Sequence, residues 1–153
     1  MAEFNFKSVG TKNDQQPITG SSLPIGIKTP LRLGKQGNGI FAMHMSLADQ
    51  LADNLRNLIN TNHGERLGLY DFGANLAPLT LDFTSQEDFD TEAVIRIRNA
   101  ATKYMPFINL KTFESSFDRF NNQVVGKITI KVTYDIPQLA TADRQIAVTL
   151  YVT

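Results

Sequence analysis

The sequence predicts an α+β domain in which an antiparallel sheet, a C-terminal meander plus N-terminal extended strands, is covered on one face by two main helices. Two observations carry this. Apolar residues recur at helical spacing in two segments between positions 46 and 104, and beyond position 108 the spacing switches to alternation. A third sets the scale: 42% of the 153 residues are apolar, about 64 side chains, enough for one ordinary core.

Residues 1–23 are polar and broken, with Lys12, Asn13, Asp14, Gln15, Gln16 and Pro17 followed by Gly20, Ser21 and Ser22. They read as a flexible N-terminal arm ahead of a single domain over 24–153. Phe4 and Phe6, two apart in solvated surroundings, leave two readings open: plain terminal disorder, or a segment that orders on a partner. Residues 25–44 contain Pro30, Gly34, Gly37 and Gly39, and the run Lys35-Gln36-Gly37-Asn38-Gly39 reads as a hairpin loop between two short extended pieces.

Helical spacing then begins. Leu47, Leu51, Leu55, Leu58 and Ile59 share a stripe that predicts a helix over about 46–60, while Asp49, Asp53, Asn54, Arg56 and Asn57 fall largely elsewhere on the wheel. Ser46 and Asp49 resemble an N-cap pair, and Asn62-His63-Gly64 supplies the stop. The next twenty residues, GERLGLYDFGANLAPLTLDF, have no clean period. They predict a packed turn with a short helix near 75–79. Ser85 or Asp90 can cap a second helix to about Tyr104, its buried stripe being Ala93, Val94, Ile97, Ala100 and Ala101, and Pro106 stops it.

Beyond it, residues 108–120 predict a strand turning at Asn121-Asn122. Ile128, Ile130, Val132, Tyr134 and Ile136 alternate with polar residues, as do Ile146, Val148, Leu150 and Val152. Both runs read as half-buried strands. The last one reaches the end of the sequence, so it is expected at a sheet edge, where unpaired backbone groups accept another strand.

The composition excludes more chemistry than it suggests. Fifteen basic and fifteen acidic residues cancel, so no uniform basic field exists to hold nucleic acid. A near-zero net charge also favours association, and points to life inside an assembly. No cysteine is present, which removes disulfides and thiolate chemistry, and no apolar run reaches membrane-spanning length. Nor does the N-terminus have the layout of a signal peptide, so a soluble product not exported by that route is expected. No phosphate loop, zinc-protease, serine-hydrolase or calcium-loop pattern occurs. His44 and His63 flank the first predicted helix and are expected to be too far apart to share an ion, so they read as helix-flanking or surface histidines. Glu65, Asp71 and Asp82 gather around the packed turn, and a glycosidase would need two such carboxyls with one pKa raised. Ion pairing, as of Glu65 with Arg66, explains them more simply. No catalytic residue, metal or cofactor is therefore assigned.

The packed turn also carries a resemblance. A Leu-rich helix, then Gly64-Glu65-Arg66, then Asp71-Phe72-Gly73 and Leu76, is similar to the Gly-Glu-Arg…Phe-Gly…Leu core of the baseplate wedge and sheath-initiator family of contractile phage tails. That family is also filed as tail lysozyme-like and includes the small type VI secretion baseplate subunit. The similarity extends upstream to Ile25-Gly26-Ile27-Lys28-Thr29-Pro30-Leu31 and downstream through the strands, over about residues 25–153. One departure stands out. Where the family has Glu-Pro-Arg after its second helix, Tyr104-Met105-Pro106-Phe107 keeps only the proline.

The resemblance implies a non-enzymatic structural component of a phage tail baseplate, in the virion, that links wedge proteins to the sheath. It would template sheath polymerisation by β-strand addition, in six copies, with the tail tube nearby. A type VI secretion baseplate subunit or a peptidoglycan-cleaving tail lysozyme is the alternative. The expected wedge contacts are Glu65, Arg66, Met105, Pro106 and Phe107. The expected sheath contacts are Ile128, Ile130, Val132, Tyr134, Ile146, Val148, Leu150 and Val152. Physically, Gly64, Gly68 and Gly73 offer positive φ or close approach, and an Arg66 buried among carbonyls with Glu65 neutralising it would hold the turn.

Overall fold

The computed structural model of the chain describes residues 23–34, 40–82, 85–120, 123–139 and 141–151. The arm, the Lys35 to Gly39 loop and the Asn121-Asn122 turn lie outside the described residues, as does Val152.

The extended pieces predicted around the Gly-rich loop pair with each other. Strand β1 (Gly26–Ile27) runs antiparallel to β2 (Met43–His44), and the ladder continues toward the loop through Lys28 N–H to Ala42 O at 2.9 Å, Ala42 N–H to Arg32 O at 2.8 Å and Gly34 N–H to Ile40 O at 3.0 Å. This ribbon is a sheet of its own and shares no strand with the C-terminal meander.

Helix α1 spans Leu47–Asn60, as its leucine spacing predicts. Ala48, Leu55, Leu58 and Ile59 are buried, but Leu47, assigned to the same stripe, is exposed. Ser46 occupies the N-cap position without a side-chain bond to the helix. The expected cap pair does not form, because Asp49 instead accepts from Arg144 Nη1 at 2.8 Å, a residue 95 positions away. The short helix α2 (Leu79–Asp82) lies a few residues later than expected. Helix α3 spans Gln86–Tyr104 and is capped as its sequence suggests. Ser85 Oγ accepts from Asp88 N–H at 3.2 Å and its hydroxyl donates to the Asp88 carboxylate at 2.8 Å. Glu87 and Asp88 in the first turn and Lys103 in the last complement the helix dipole.

The meander is β3 (Asn109–Phe120), β4 (Gln123–Ile136) and β5 (Thr141–Tyr151), ordered β3-β4-β5 and antiparallel throughout. Period two decides its faces. Ile128, Ile130, Val132, Tyr134 and Ile136 of β4, with Ile146 and Val148 of β5, are buried toward the helices, whereas Glu114, Lys131 and Ala147 face solvent in register with one another. Helix α1 lies over β5, tied by Arg144 and Asp49. Helix α3 lies over β3, with Phe89 and Phe117 edge to face at 5.5 Å. The core between them joins both helices to all three strands. Each fully buried side chain there adds roughly 1.5–3 kcal/mol of transfer free energy, so truncating Ile130 to Ala would cost about 2–5 kcal/mol. The fold is thus mixed α+β. Among the described residues no helix is long and apolar enough to cross a membrane.

Candidate functional site

The packed turn between α1 and α2 is built by the chain folding back on the end of α1. A helix end leaves carbonyls without partners. Here Ala74 N–H reaches Leu58 O at 3.0 Å and Asn75 N–H reaches Thr61 O at 3.2 Å. Gly73 makes this return possible: its φ is +111°, and a Cβ there would stand 2.0 Å from Thr61 O. Asn75 adopts φ +52°, receives His63 N–H on its side chain at 3.3 Å, and its own carbonyl accepts from Arg96 Nη1 at 2.8 Å. One residue so joins α1, the turn and α3.

Glu65 closes the first half of the turn. Its carboxylate accepts from Asn62 N–H at 2.8 Å and from Asn62 Nδ2 at 2.9 Å, while Asn62 Oδ1 accepts from Ala77 N–H at 3.1 Å. Those Asn62 bonds, the side-chain one first, hold the Glu65 carboxyl below its ordinary pKa. The expected Glu65 to Arg66 pairing is therefore absent. Arg66 is not buried either: its guanidinium lies over the Phe72 ring, 4.2 Å from the centroid. Phe72 leans on Tyr104 at 4.9 Å, and the Tyr104 hydroxyl donates to Asp71 Oδ1 at 2.8 Å. Lys103 also donates to Asp71. Lys103 and then Tyr104 lower the Asp71 pKa, and Asp71 in return raises that of Lys103.

These groups surround an open groove of about 760 Å³. Its lining brings together four of the five expected wedge contacts, Glu65, Arg66, Met105 and Phe107, from segments some forty residues apart, with Leu69, Phe72 and Tyr104 between them. Pro106 is exposed beside it. Met105 is largely buried and forms part of the floor. One wall of the groove is apolar and aromatic, and Arg66, Glu65, Asn54, Asn57 and Thr61 make it polar elsewhere; the carboxyls of the turn are unlike a hydrolytic pair. Glu65 and Asp71 both have lowered pKa values where an acid catalyst needs one raised, and of the three carboxyls only Glu65 lines the groove. Among the described residues no group of three potential ligands could hold a metal ion.

The expected sheath contacts divide. Ile128, Ile130, Val132 and Tyr134 belong to β4, the central strand, whose backbone is paired on both sides and whose side chains are core. They cannot offer an edge, a correction imposed by strand order. Ile146 and Val148 are also core and Leu150 is partly buried, so what β5 exposes is its outer backbone. That edge has no neighbouring strand among the described residues.

The sequence reading missed a second polar cluster. His44, expected to flank the helix or lie at the surface, flanks α1 but is buried, and its Nε2–H donates to Asp53 Oδ2 at 2.7 Å. The same oxygen accepts from Thr29 N–H at 2.9 Å, and Oδ1 accepts from Arg56 Nη1 at 2.6 Å. Burial works to raise the Asp53 pKa, but the donors from Thr29 and His44 outweigh it and hold it low. Asp53 falls off the apolar stripe, and nothing in its spacing marks it as buried. The ribbon covers that flank, and no local pattern announces it.

The chain matches no protein-family model and no curated protein. It is similar in structure to a Geobacter sulfurreducens protein assigned as a tail lysozyme, with a TM-score of 0.59 and 20% identity over 73% of this chain and 97% of that one. It is also similar to a chain of the anti-feeding prophage baseplate, solved with six-fold symmetry, with a TM-score of 0.51 and 14% identity over 82% of each chain. At these identities the likeness establishes a shared fold.

Proposed function

We propose that this chain is a structural subunit of a contractile-tail baseplate, joining wedge proteins to the sheath and starting sheath polymerisation by strand addition along β5. The observation that carries the reading is the outer edge of β5, a strand of eleven residues with one side paired to β4 and, among the described residues, no strand on the other. An extended arm from a sheath subunit would satisfy those backbone groups, and the alternating side chains would set its register. Similarity in fold to a baseplate chain supports this role.

The wedge side of the proposal is the groove of Arg66, Phe72, Met105 and Phe107. With the Glu65 carboxylate engaged by Asn62, the aromatic and apolar wall beside the exposed Arg66 guanidinium suits a helix carrying a carboxylate among apolar residues. It replaces the charges missing around Pro106. Six copies, a tail-tube neighbour and a place in the virion belong to the same proposal. A type VI secretion baseplate would use the same surfaces. Two carboxyls held low argue against wall hydrolysis. A turbidity assay separates that rival: clearing of bacterial walls that Glu65→Gln abolishes would establish an enzyme.

A cryo-EM map of assembled tails tests the main reading. The expected result is an extended segment of a sheath subunit lying antiparallel or parallel along β5. A bare β5 edge in the complete particle would overturn it.

A further inference from the structure

Among the described residues, nine of the fifteen exposed large apolar side chains lie between positions 23 and 47, on or beside the N-terminal ribbon. Leu31 is 64% exposed, Leu33 77% and Ile40 75%. Monomeric proteins rarely leave so many together without a partner. The same segment holds Lys28, Arg32 and Lys35 and no acidic residue, and neither Lys28 nor Arg32 meets a carboxylate among the described residues. This surface is therefore apolar and positive.

Its complement is on the same molecule. Residues 82–92 hold Asp82, Glu87, Asp88, Asp90 and Glu92 and no basic residue, Glu92 being paired with the following Arg96 at 2.8 Å. Asp82 and Glu87 are exposed, with Leu81 at 68% and Ile95 at 47% exposure on either side of them in the sequence. This surface is apolar and negative. The two stand at opposite corners. The ribbon joins α1 at Asp53, near Asp49 and the Arg144 end of β5, which pairs with Tyr134 of β4. The start of α3 rests on β3, where Gln86 donates to Ser115 at 3.2 Å and Phe89 meets Phe117, the partner of Ile128. Surfaces so placed meet between copies and not within one.

We propose that copies of this chain associate head to tail, the basic ribbon of one seated on the acidic start of α3 of the next. The net charge of zero then conceals two opposed patches, which attract between molecules where a uniform charge would repel. Because the two patches differ, the contact is heterologous and generates a ring or a filament.

Sedimentation velocity of the full chain, from about 1 μM to about 1 mM, tests this. Concentration-dependent association that weakens with salt is expected, since exposed charges are screened. Lys28→Glu with Arg32→Glu should weaken it at least about tenfold, as should Asp82→Lys with Glu87→Lys, each with an unchanged melting curve. Mixed together, these two variants should associate and grow again, because every ribbon then meets an α3 start of opposite charge on the other variant. All four reversals in one chain should restore growth. A chain that stays monomeric throughout, or association indifferent to both reversals, would overturn the proposal. So would flotation with vesicles of anionic lipid by a chain that does not self-associate, which would assign the ribbon to a membrane surface.

Discussion

His44 Nε2 and Asp53 Oδ2 stand 2.7 Å apart in the interior, and through that bond, with Thr29 N–H on the same oxygen, the N-terminal ribbon is fastened to α1. Asp53→Ala would leave both donors buried without an acceptor, at a cost of about 2–4 kcal/mol. Arg56 adds little, being about a third exposed. The Asp53 carboxyl titrates lower in the folded chain than when unfolded, so its contribution is present above about pH 4 and fades as pH falls through the folded value. Urea denaturation from pH 7 to pH 2 is expected to show that acid loss in the native chain and less of it in Asp53→Asn.

Gly73 and Gly68 both have positive φ but different surroundings. Alanine at Gly68, with nothing within 4 Å of the new Cβ, is expected to cost about 1–2 kcal/mol of conformational strain. At Gly73 the methyl meets the Thr61 carbonyl as well, and the loss should be clearly larger, with the groove disturbed. Thermal melts of the two variants side by side make the comparison.

Tyr134 is fully buried beneath the helices, its hydroxyl oxygen without a hydrogen-bond partner. Burial raises its pKa, with the nearby Arg144 charge working the other way. The sign follows: folding tolerates the neutral phenol, and stability falls as pH rises past the unfolded value near 10, since the folded chain resists ionisation. Tyr134→Phe should raise stability at neutral pH by about 1 kcal/mol and remove that part of the alkaline loss, both measurable by denaturant titration at pH 7 and pH 11.

Ala147 is exposed and faces Lys131 in register. Glutamate at this position gains an opposite charge across the pair, so the melting behaviour should stay within about 0.5 kcal/mol. A charge on an edge strand discourages a further strand. Tubes carrying Ala147→Glu subunits are expected to lack sheath in negative-stain micrographs. Full sheaths would contradict strand addition at β5.

Arg66 is held by the face of one ring, a contact worth about 0.5–1 kcal/mol at an exposed site. Arg66→Ala should therefore melt within about 1 kcal/mol of the native chain while entering baseplates poorly. Normal incorporation, read by quantifying the subunit in purified baseplates, would take the groove out of the wedge contact.

What the sequence revealed was local. The Ser85 cap, the stripe of α3 and the alternation of β4 depend on neighbours within a few positions, and each is where the spacing put it. What it concealed depends on residues brought together late. Asp49 looked like a partner for Ser46 and serves Arg144; Asp53 falls off the apolar stripe and lies under a ribbon; Glu65 and Arg66 looked like a pair and turn to Asn62 and Phe72. Strand order also escaped the pattern of alternation, which is the same for a central strand and an edge, so the β4 residues were grouped with those of β5. For the groove, the motif marked Glu65 and Arg66 and the departure after α3 marked Met105 and Phe107, but only the return of the chain at Gly73 puts the two segments side by side.

The separateness of the ribbon's small sheet has a consequence for how the domain comes apart. Its strands share no ladder with the meander and contribute no side chain to the main hydrophobic cluster, so releasing them forfeits a few bonds around one carboxylate and leaves the interior closed. In deuterium oxide the Lys28 and Ala42 amides should therefore exchange by a shallow opening of their own, far faster than those of β4, which wait for global unfolding.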